Sequence, residues 1–250
     1  MKAVLEARNI VKHYMKDGVS KLILKDFSLE VDKGEIISIL GASGCGKTTA
    51  LNILGGFEDT KSGEVLLYGK PIKGPSFYAV MVFQDNHQLF PWLRLGDNVA
   101  MPIRKRHEKR SEAFYDEKTS DILSQVGLKG YGNYFPHELS GGMRQRGAIA
   151  RALASEPDIL LMDEPFASVD AITRESLQEL LLAIWNEKGL TVVFVTHDIE
   201  EALYISDRIL IMGKESGIVK RIINNRWKGL RKTGEAYFDE KEKIKKDITA

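Results

Sequence analysis

A single cysteine, Cys45, stands in the 250-residue sequence. One thiol closes no intramolecular disulfide, which agrees with a reducing compartment. Net charge is almost absent as well: 36 Lys and Arg against 35 Asp and Glu leave +1. That balance removes any global electrostatic case for nucleic acid or an anionic membrane as partner. Long hydrophobic runs are also missing. The longest, such as Leu190–Val195, are strand-length, and none nears the ~20 apolar residues of a membrane helix. Near the start, Glu6 and Arg8 stand where a signal peptide needs an apolar core. There is no internal repeat and no low-complexity segment. The expectation is a soluble cytoplasmic protein with one large domain, or one domain carrying an inserted subdomain. With 43% hydrophobic residues it has ample material for a core.

What is present divides into three parts. The first third is short apolar runs split by turns at Asp17-Gly18 and Lys33-Gly34, which predicts short β-strands. The run "EIISIL" enters "GASGCGKTT" and then the helical stretch "TALNILGG", giving strand, glycine loop, helix. "YAVMVFQ" reads as a strand ending at Gln84. From 104 to 128 the chain is charged, with Phe114, Ile122, Leu123 and Val126 at helical spacing and Gly127 as a stop. Ser140 is a predicted N-cap for a helix over 141–154. Residues 85–156 therefore read as a helical insertion. After it, apolar strands ("DILLMDE", "LTVVFVTH", "DRILIM") alternate with helices, which indicates a parallel sheet covered on both faces. The tail from Arg226 has mixed charge, with Phe238, Ile244 and Ile248 at helical spacing: a peripheral helix or a partly disordered segment.

"GASGCGKT" fits the P-loop pattern in its confirming context between strand and helix. Gly41, Ser43, Gly44, Cys45, Gly46, Lys47, Thr48 and Thr49 form the predicted phosphate cradle. Backbone N–H groups at the helix start surround the phosphates, Lys47 reaches the β- and γ-phosphates, and the Thr48 hydroxyl ligates Mg²⁺. Asp163 and Glu164 end a buried strand, and in parallel sheets the ligand sits at the carboxyl ends of strands. Asp163 there holds Mg²⁺ through water, and Glu164 orients and polarises the attacking water. Alone, an Asp-Glu pair at a strand end is a turn or a helix cap; beside a P-loop the catalytic reading prevails. His197 ends the next apolar strand, within reach of a γ-phosphate oxygen. Gln84 is a neutral group for Mg²⁺ or the attacking water. Tyr14 can stack on adenine, although aromatics in strands are mostly core. Cys45 lies near a helix N-terminus, where its thiol pKa should fall; the reading preferred is a small space-filler. "RKRHEKR" from Arg104 to Arg110 lacks interleaved aromatics and sits among acids, so it reads as a solvated helix face.

"LSGGMRQR", Leu139 to Arg146, is a second glycine stretch far from the P-loop. With the P-loop, Gln84, "DILLMDE", "ASVD" and His197 in this order, the chain resembles the ATP-binding cassette (ABC) ATPases over roughly Val4 to Val219. The implied fold is α/β: a P-loop cassette with an N-terminal antiparallel β region, a parallel-sheet core and an inserted helical subdomain. It implies one domain over 1–250, with 1–84 and 157–225 as nucleotide-binding core, 85–156 as helical subdomain and 226–250 as charged tail. "LFPWL" and "EPFASVDAITR" are similar to the importer subgroup for nitrate, sulfonate, taurine and thiamine precursors. Two departures stand out. Gly147 replaces an apolar residue and should loosen its helix by ~1 kcal/mol, and "ASVD" replaces "GALD".

The resemblance also implies partners. Two copies pair head to tail, so ATP and Mg²⁺ lie between one copy's P-loop and the other's Ser140, Gly141 and Gly142. Tyr14 is then the adenine-stacking aromatic. Ser168, Val169 and Asp170 form a dimer-contact loop. A membrane permease docks near Gln84, with Asp85 to Arg94 (Phe90, Pro91, Trp92) as the groove, and a solute-binding protein acts indirectly. The implied location is the cytoplasmic face of the membrane, peripherally bound. Arg144 and Arg146 are expected to support the helix or the interface. A DNA-repair or translation ABC ATPase would carry a long coiled coil or two cassettes, and the chain has neither. A metabolite kinase would leave "LSGGMRQR" without a role.

Overall fold

Three six-residue or shorter runs set the architecture because every position in them is buried: β3 (Ile36–Gly41), β7 (Ile159–Asp163) and β8 (Thr191–Thr196). Strands apolar on both faces belong inside a sheet covered on both sides. The computed structural model describes residues 3–16, 18–84, 88–167, 169–213, 217–230 and 234–249. In it these three strands form the centre of a six-stranded sheet, in the order β10-β9-β3-β8-β7-β6. Here β6 is Ala79–Val82, β9 is Arg208–Met212 and β10 is Val219–Asn224. Pairing is parallel from β6 through β9. β10 runs antiparallel to β9 and closes one edge, an addition the sequence reading lacked.

A second sheet is antiparallel. β1 (Ala3–Lys16) pairs with β2 (Val19–Asp32) and with β4 (Ser62–Leu67), and β4 pairs with the short β5 (Lys70–Pro71). Side chains alternate across the core sheet. Ile37, Ile39, Leu161, Val193 and Val195 pack toward this second sheet and α1 (Lys47–Leu54). Ile36, Leu160, Met162, Val192 and Phe194 face the opposite way. That second face receives α4 (Gly141–Leu153) and α5 (Ala171–Lys188).

The helical segment contains α2 (Leu95–Arg106), α3 (Glu112–Gln125), a 3₁₀ turn at Pro136–Glu138, and α4. The charged stretch read as one helical run is divided. α2 ends at Arg106 and α3 begins after the Ser111 cap, whose hydroxyl accepts from Phe114 N. Only the first three residues of "RKRHEKR" are helical. Two of them are tied down: Arg104 forms a bidentate pair with Glu112, and Arg106 pairs with Glu156 at 3.1 Å. Gln84 is not a strand residue; β6 stops at Val82, and Gln84 lies in the bend beyond it.

After β8 come α6 (Ile199–Ile205), β9 and β10, and the tail forms α7 (Glu235–Thr249). Tyr237 and Ile244 are buried against Leu203, Ile209 and Ile211. The apolar spacing of the tail was therefore real, but Phe238 is 53% exposed and does not belong to that face. Asp17, Asp85 and Ser168, named in the sequence reading, lie outside the described residues.

Candidate nucleotide site

The parallel register decides which residues meet. Leu40 aligns with Thr196, and Asp163 with Val195. The glycine loop after β3, the acidic pair after β7 and His197 after β8 thus emerge at one sheet edge, where ligands bind in open α/β sheets.

The loop itself is built by its glycines. Gly44 has φ +79° and Gly46 φ +106°, conformations that disfavour a side chain. A Cβ on Gly41 would lie 2.8 Å from Cys45 Sγ and 2.9 Å from the Met212 carbonyl oxygen. Gly46 caps α1 with no side-chain hydrogen bond, and no acidic residue occupies the first turn. The helix start therefore offers N–H groups and a positive dipole end to an anion. Lys47 is almost fully buried, and its Nζ donates to the carbonyl oxygens of Gly41 (2.9 Å) and Ala42 (3.0 Å). A buried cation folded over its own loop beside an uncapped helix start fits the phosphates of a nucleotide.

Thr48 Oγ1 donates to Asp163 Oδ1 at 3.2 Å. Burial pushes the Asp163 carboxyl up, and the charge of Glu164 adds to this; the Thr48 hydroxyl and Lys47 act the other way. A desolvated carboxylate beside a hydroxyl suits a hard cation. Among the described residues no three His, Cys, Asp or Glu side chains cluster as a metal cage, so Mg²⁺ here would complete its shell with phosphate oxygens and water. Thr48 and Asp163 fit that role.

Glu164 has φ +42°, a strained conformation for a residue with a long side chain. Its N–H donates to the Val195 carbonyl oxygen at 3.1 Å, which fixes the backbone. Its Oε2 lies 3.4 Å from Gln84 Nε2 and 3.1 Å from His197 Nδ1. Lys47, Thr48, Asp163, Glu164, Gln84 and His197 are thus gathered from four separate segments.

Tyr14 stands on β1 beside α1. Its hydroxyl donates to Glu58 Oε2 and lies 3.4 Å from Thr49 Oγ1. Lys12 Nζ reaches the same Glu58 oxygen at 3.2 Å, and Asn52 Nδ2 donates to Glu58 Oε1 at 3.1 Å. Sequence reasoning missed Glu58, because only the pairing of β1 beside α1 brings it to the ring.

Cys45 overturns one expectation. It is 3% exposed, and burial pushes its thiol up, with Lys47 and backbone donors offsetting only part. The helix N-terminus does not produce a reactive thiolate; Cys45 fills the space under Gly41.

The second glycine stretch is elsewhere. Ser140 is exposed and caps α4, its Oγ accepting from Met143 N at 3.3 Å. Among the described residues no hydrogen bond or ion pair joins Ser140, Gly141 or Gly142 to the loop Gly41–Thr49. Asp170 caps α5 and accepts from Thr173 N at 3.0 Å. Arg144 donates to the Leu139 carbonyl oxygen at 2.5 Å, and Arg146 to that of Val126 at 3.2 Å, as supports of the helix.

A family model described as ABC transporter matches residues 24–167, more than half of the chain. The chain belongs to the ABC transporter family. It is an ATP-binding cassette and an ATPase. The cassette is 39% identical over 236 residues to the aliphatic sulfonates import ATP-binding protein SsuB of Bacillus cereus, covering 94% of this chain and 92% of that one. It is 42% identical over 218 residues to the taurine import ATP-binding protein TauB of Jannaschia sp., covering 87% and 80%. Among solved structures, the dimeric post-hydrolysis state of the cassette MJ0796 bound to ADP and Pi superposes with a TM-score of 0.79 at 32% identity, covering 92% of this chain and all of that one. No helix among the described residues of the cassette is long and apolar enough to cross a membrane.

Proposed function

We propose that the cassette is the ATP-hydrolysing subunit of an importer for a small solute of the nitrate, sulfonate, taurine or thiamine-precursor type. The names of its relatives support the sulfonate and taurine end of that range. The observation that carries the catalytic reading is the convergence of Gln84 and His197 on one oxygen of Glu164, beside the Thr48–Asp163 pair.

On this reading Lys47 exchanges the carbonyls of Gly41 and Ala42 for β- and γ-phosphate oxygens, and the α1 N–H groups hold the rest of the chain of phosphates. The Tyr14 ring, braced by Glu58, stacks on the base. Thr48, Asp163 and Gln84 would hold Mg²⁺, which when bound would supply positive charge against the phosphates. Glu164 Oε2 orients the attacking water and takes its proton; Gln84 and His197 keep that oxygen in place. The start of α4 at Ser140–Gly142, which among the described residues makes no hydrogen bond to its own nucleotide loop, meets the nucleotide of a second copy. Two ATPs are then enclosed between two chains, with Asp170 near the seam. The dimeric relatives among solved structures support this arrangement.

The docking surface for a permease is an apolar cavity of about 540 Å³ beside Gln84. Phe77, Phe83, Phe90, Met101 and Arg151 line it, and Trp92, 70% exposed, stacks on Phe90 at 5.2 Å. Exposed aromatics fit a partner surface. We place the moving segment at 85–156 and the ATP-binding core at 1–84 and 157–225. The chain would then sit peripherally on the cytoplasmic face, with a solute-binding protein acting through the permease. The test is co-purification with the permease, followed by ATPase assays with the solute-binding protein. Stimulation by taurine or an alkanesulfonate supports the reading; stimulation only by an unrelated solute class overturns the substrate, and no association with a permease overturns the transport role.

A further inference from the structure

Gly142 and Thr173 touch across the seam between α4 and α5. A Cβ built on Gly142 would fall inside the van der Waals envelope of Thr173 Cγ2. The other Thr173 side-chain atoms, Cβ and Oγ1, would lie at 3.6 and 3.8 Å, an ordinary contact distance. The Gly142 backbone is helical, with no positive φ that would itself call for glycine. The direction in which a side chain would grow is thus toward this chain's own α5.

Thr173 is held firmly. Its Oγ1 donates to Asp170 Oδ2 at 2.6 Å and its N–H to Asp170 Oδ1 at 3.0 Å. One turn farther along both helices, Arg146 Nη2 donates to Ser176 Oγ at 2.6 Å. Gly142 and Arg146 are four residues apart and Thr173 and Ser176 three apart, so each pair shares one helix face. The seam has two fixed points. It joins the turn carrying Ser140 to the turn carrying Asp170, the segments that the dimer reading assigns to the second copy's nucleotide and to the contact between copies.

We propose that Gly142 is glycine to admit the Thr173 methyl group, and that Thr173 is a positioning residue. Through it the Ser140 turn and the Asp170 turn of one chain are set at a fixed spacing, so they reach the second copy as one unit. This rests on the head-to-tail dimer reading.

The test is a cycle of Gly142→Ala, Thr173→Ser and the double variant in the full chain. Readouts are kcat and KM for ATP, binding of a fluorescent ATP analogue, and thermal unfolding. Gly142→Ala should lower kcat at least about tenfold while ATP affinity stays within about twofold, because its own P-loop is untouched. The double variant, in which serine vacates the space the new methyl needs, should return to within about threefold of Thr173→Ser, a coupling that independent sites would not give. The melting temperature should follow the same pattern, so the packing is read even without dimer formation. A double variant as impaired as Gly142→Ala overturns the proposal, because the glycine would then serve the nucleotide. Wild-type activity in Gly142→Ala overturns it too. Failure of the dimer reading is distinct: the wild-type chain would show no ATP-dependent dimer, while the melting-temperature cycle would still report the contact.

Discussion

His197 Nδ1 lies 3.1 Å from Glu164 Oε2, although a helix and a strand separate the two residues in the chain. Adjacent parallel strands β7 and β8 deliver them to the same edge. The pairing supports the proposed reading, with Glu164 as the water-activating group and His197 as its support. Glu164→Gln should keep ATP binding and lower turnover by about 10²-fold or more, as expected for loss of a general base. An ATP-bound dimer should accumulate on gel filtration. Turnover at the wild-type rate would remove Glu164 from the mechanism.

Ser140→Arg tests the second glycine stretch. Ser140 is exposed; its hydroxyl accepts the cap bond from Met143 N, and its carbonyl accepts from Arg144 N. Loss of the cap alone, in Ser140→Ala, should cost about 1 kcal/mol of stability and leave ATP-dependent dimerisation in place. Ser140→Arg should retain ATP binding while abolishing dimerisation and turnover. A monomeric Ser140→Arg with full activity would refute the second-copy role.

Glu201 makes stability depend on pH. It is 5% exposed, and burial pushes its carboxyl up to about 7. The Thr196 hydroxyl, donating at 2.6 Å, opposes this; Asp198 raises it further, and Arg174 and His197 lower it. The folded pKa lies above the unfolded value of ~4.3, so the fold binds this proton more tightly. The stabilisation is complete below the unfolded value and is lost as pH rises through about 7. Glu201→Gln should flatten this dependence and be more stable than wild type by roughly 1–3 kcal/mol at pH 8. Urea titrations from pH 5 to 8 on both proteins measure it; parallel curves would contradict it.

Gly147 is the fourth case. From sequence it only weakens α4. In the structure a Cβ there would lie 2.8 Å from Leu95 Cδ1 and 3.1 Å from Leu89 Cδ1, both buried. The glycine lets α4 approach α2 closely. Gly147→Val should therefore destabilise by about 1–3 kcal/mol through overpacking, outweighing any gain in helix propensity. Urea unfolding checks the sign; a stabilised valine variant would show that Leu89 and Leu95 yield easily.

The sequence by itself determined whatever depends on neighbours in the chain. Continuous apolar runs marked β3, β7 and β8 as buried on both faces. The glycine spacing around Lys47 and the Ser140 cap were readable because a loop conformation and a helix start are set within a few residues. The family order of motifs supplied the second-copy role proposed for "LSGGMRQR". Tertiary structure alone decided what depends on register and desolvation. It set Gln84 and His197 on one oxygen of Glu164 and brought Glu58 to the Tyr14 hydroxyl. It buried Cys45 and so reversed the expected shift of its thiol. It also set Thr173 against Gly142, a contact across two helices and the strand between them that exists only where α4 and α5 pack on the same face of the sheet.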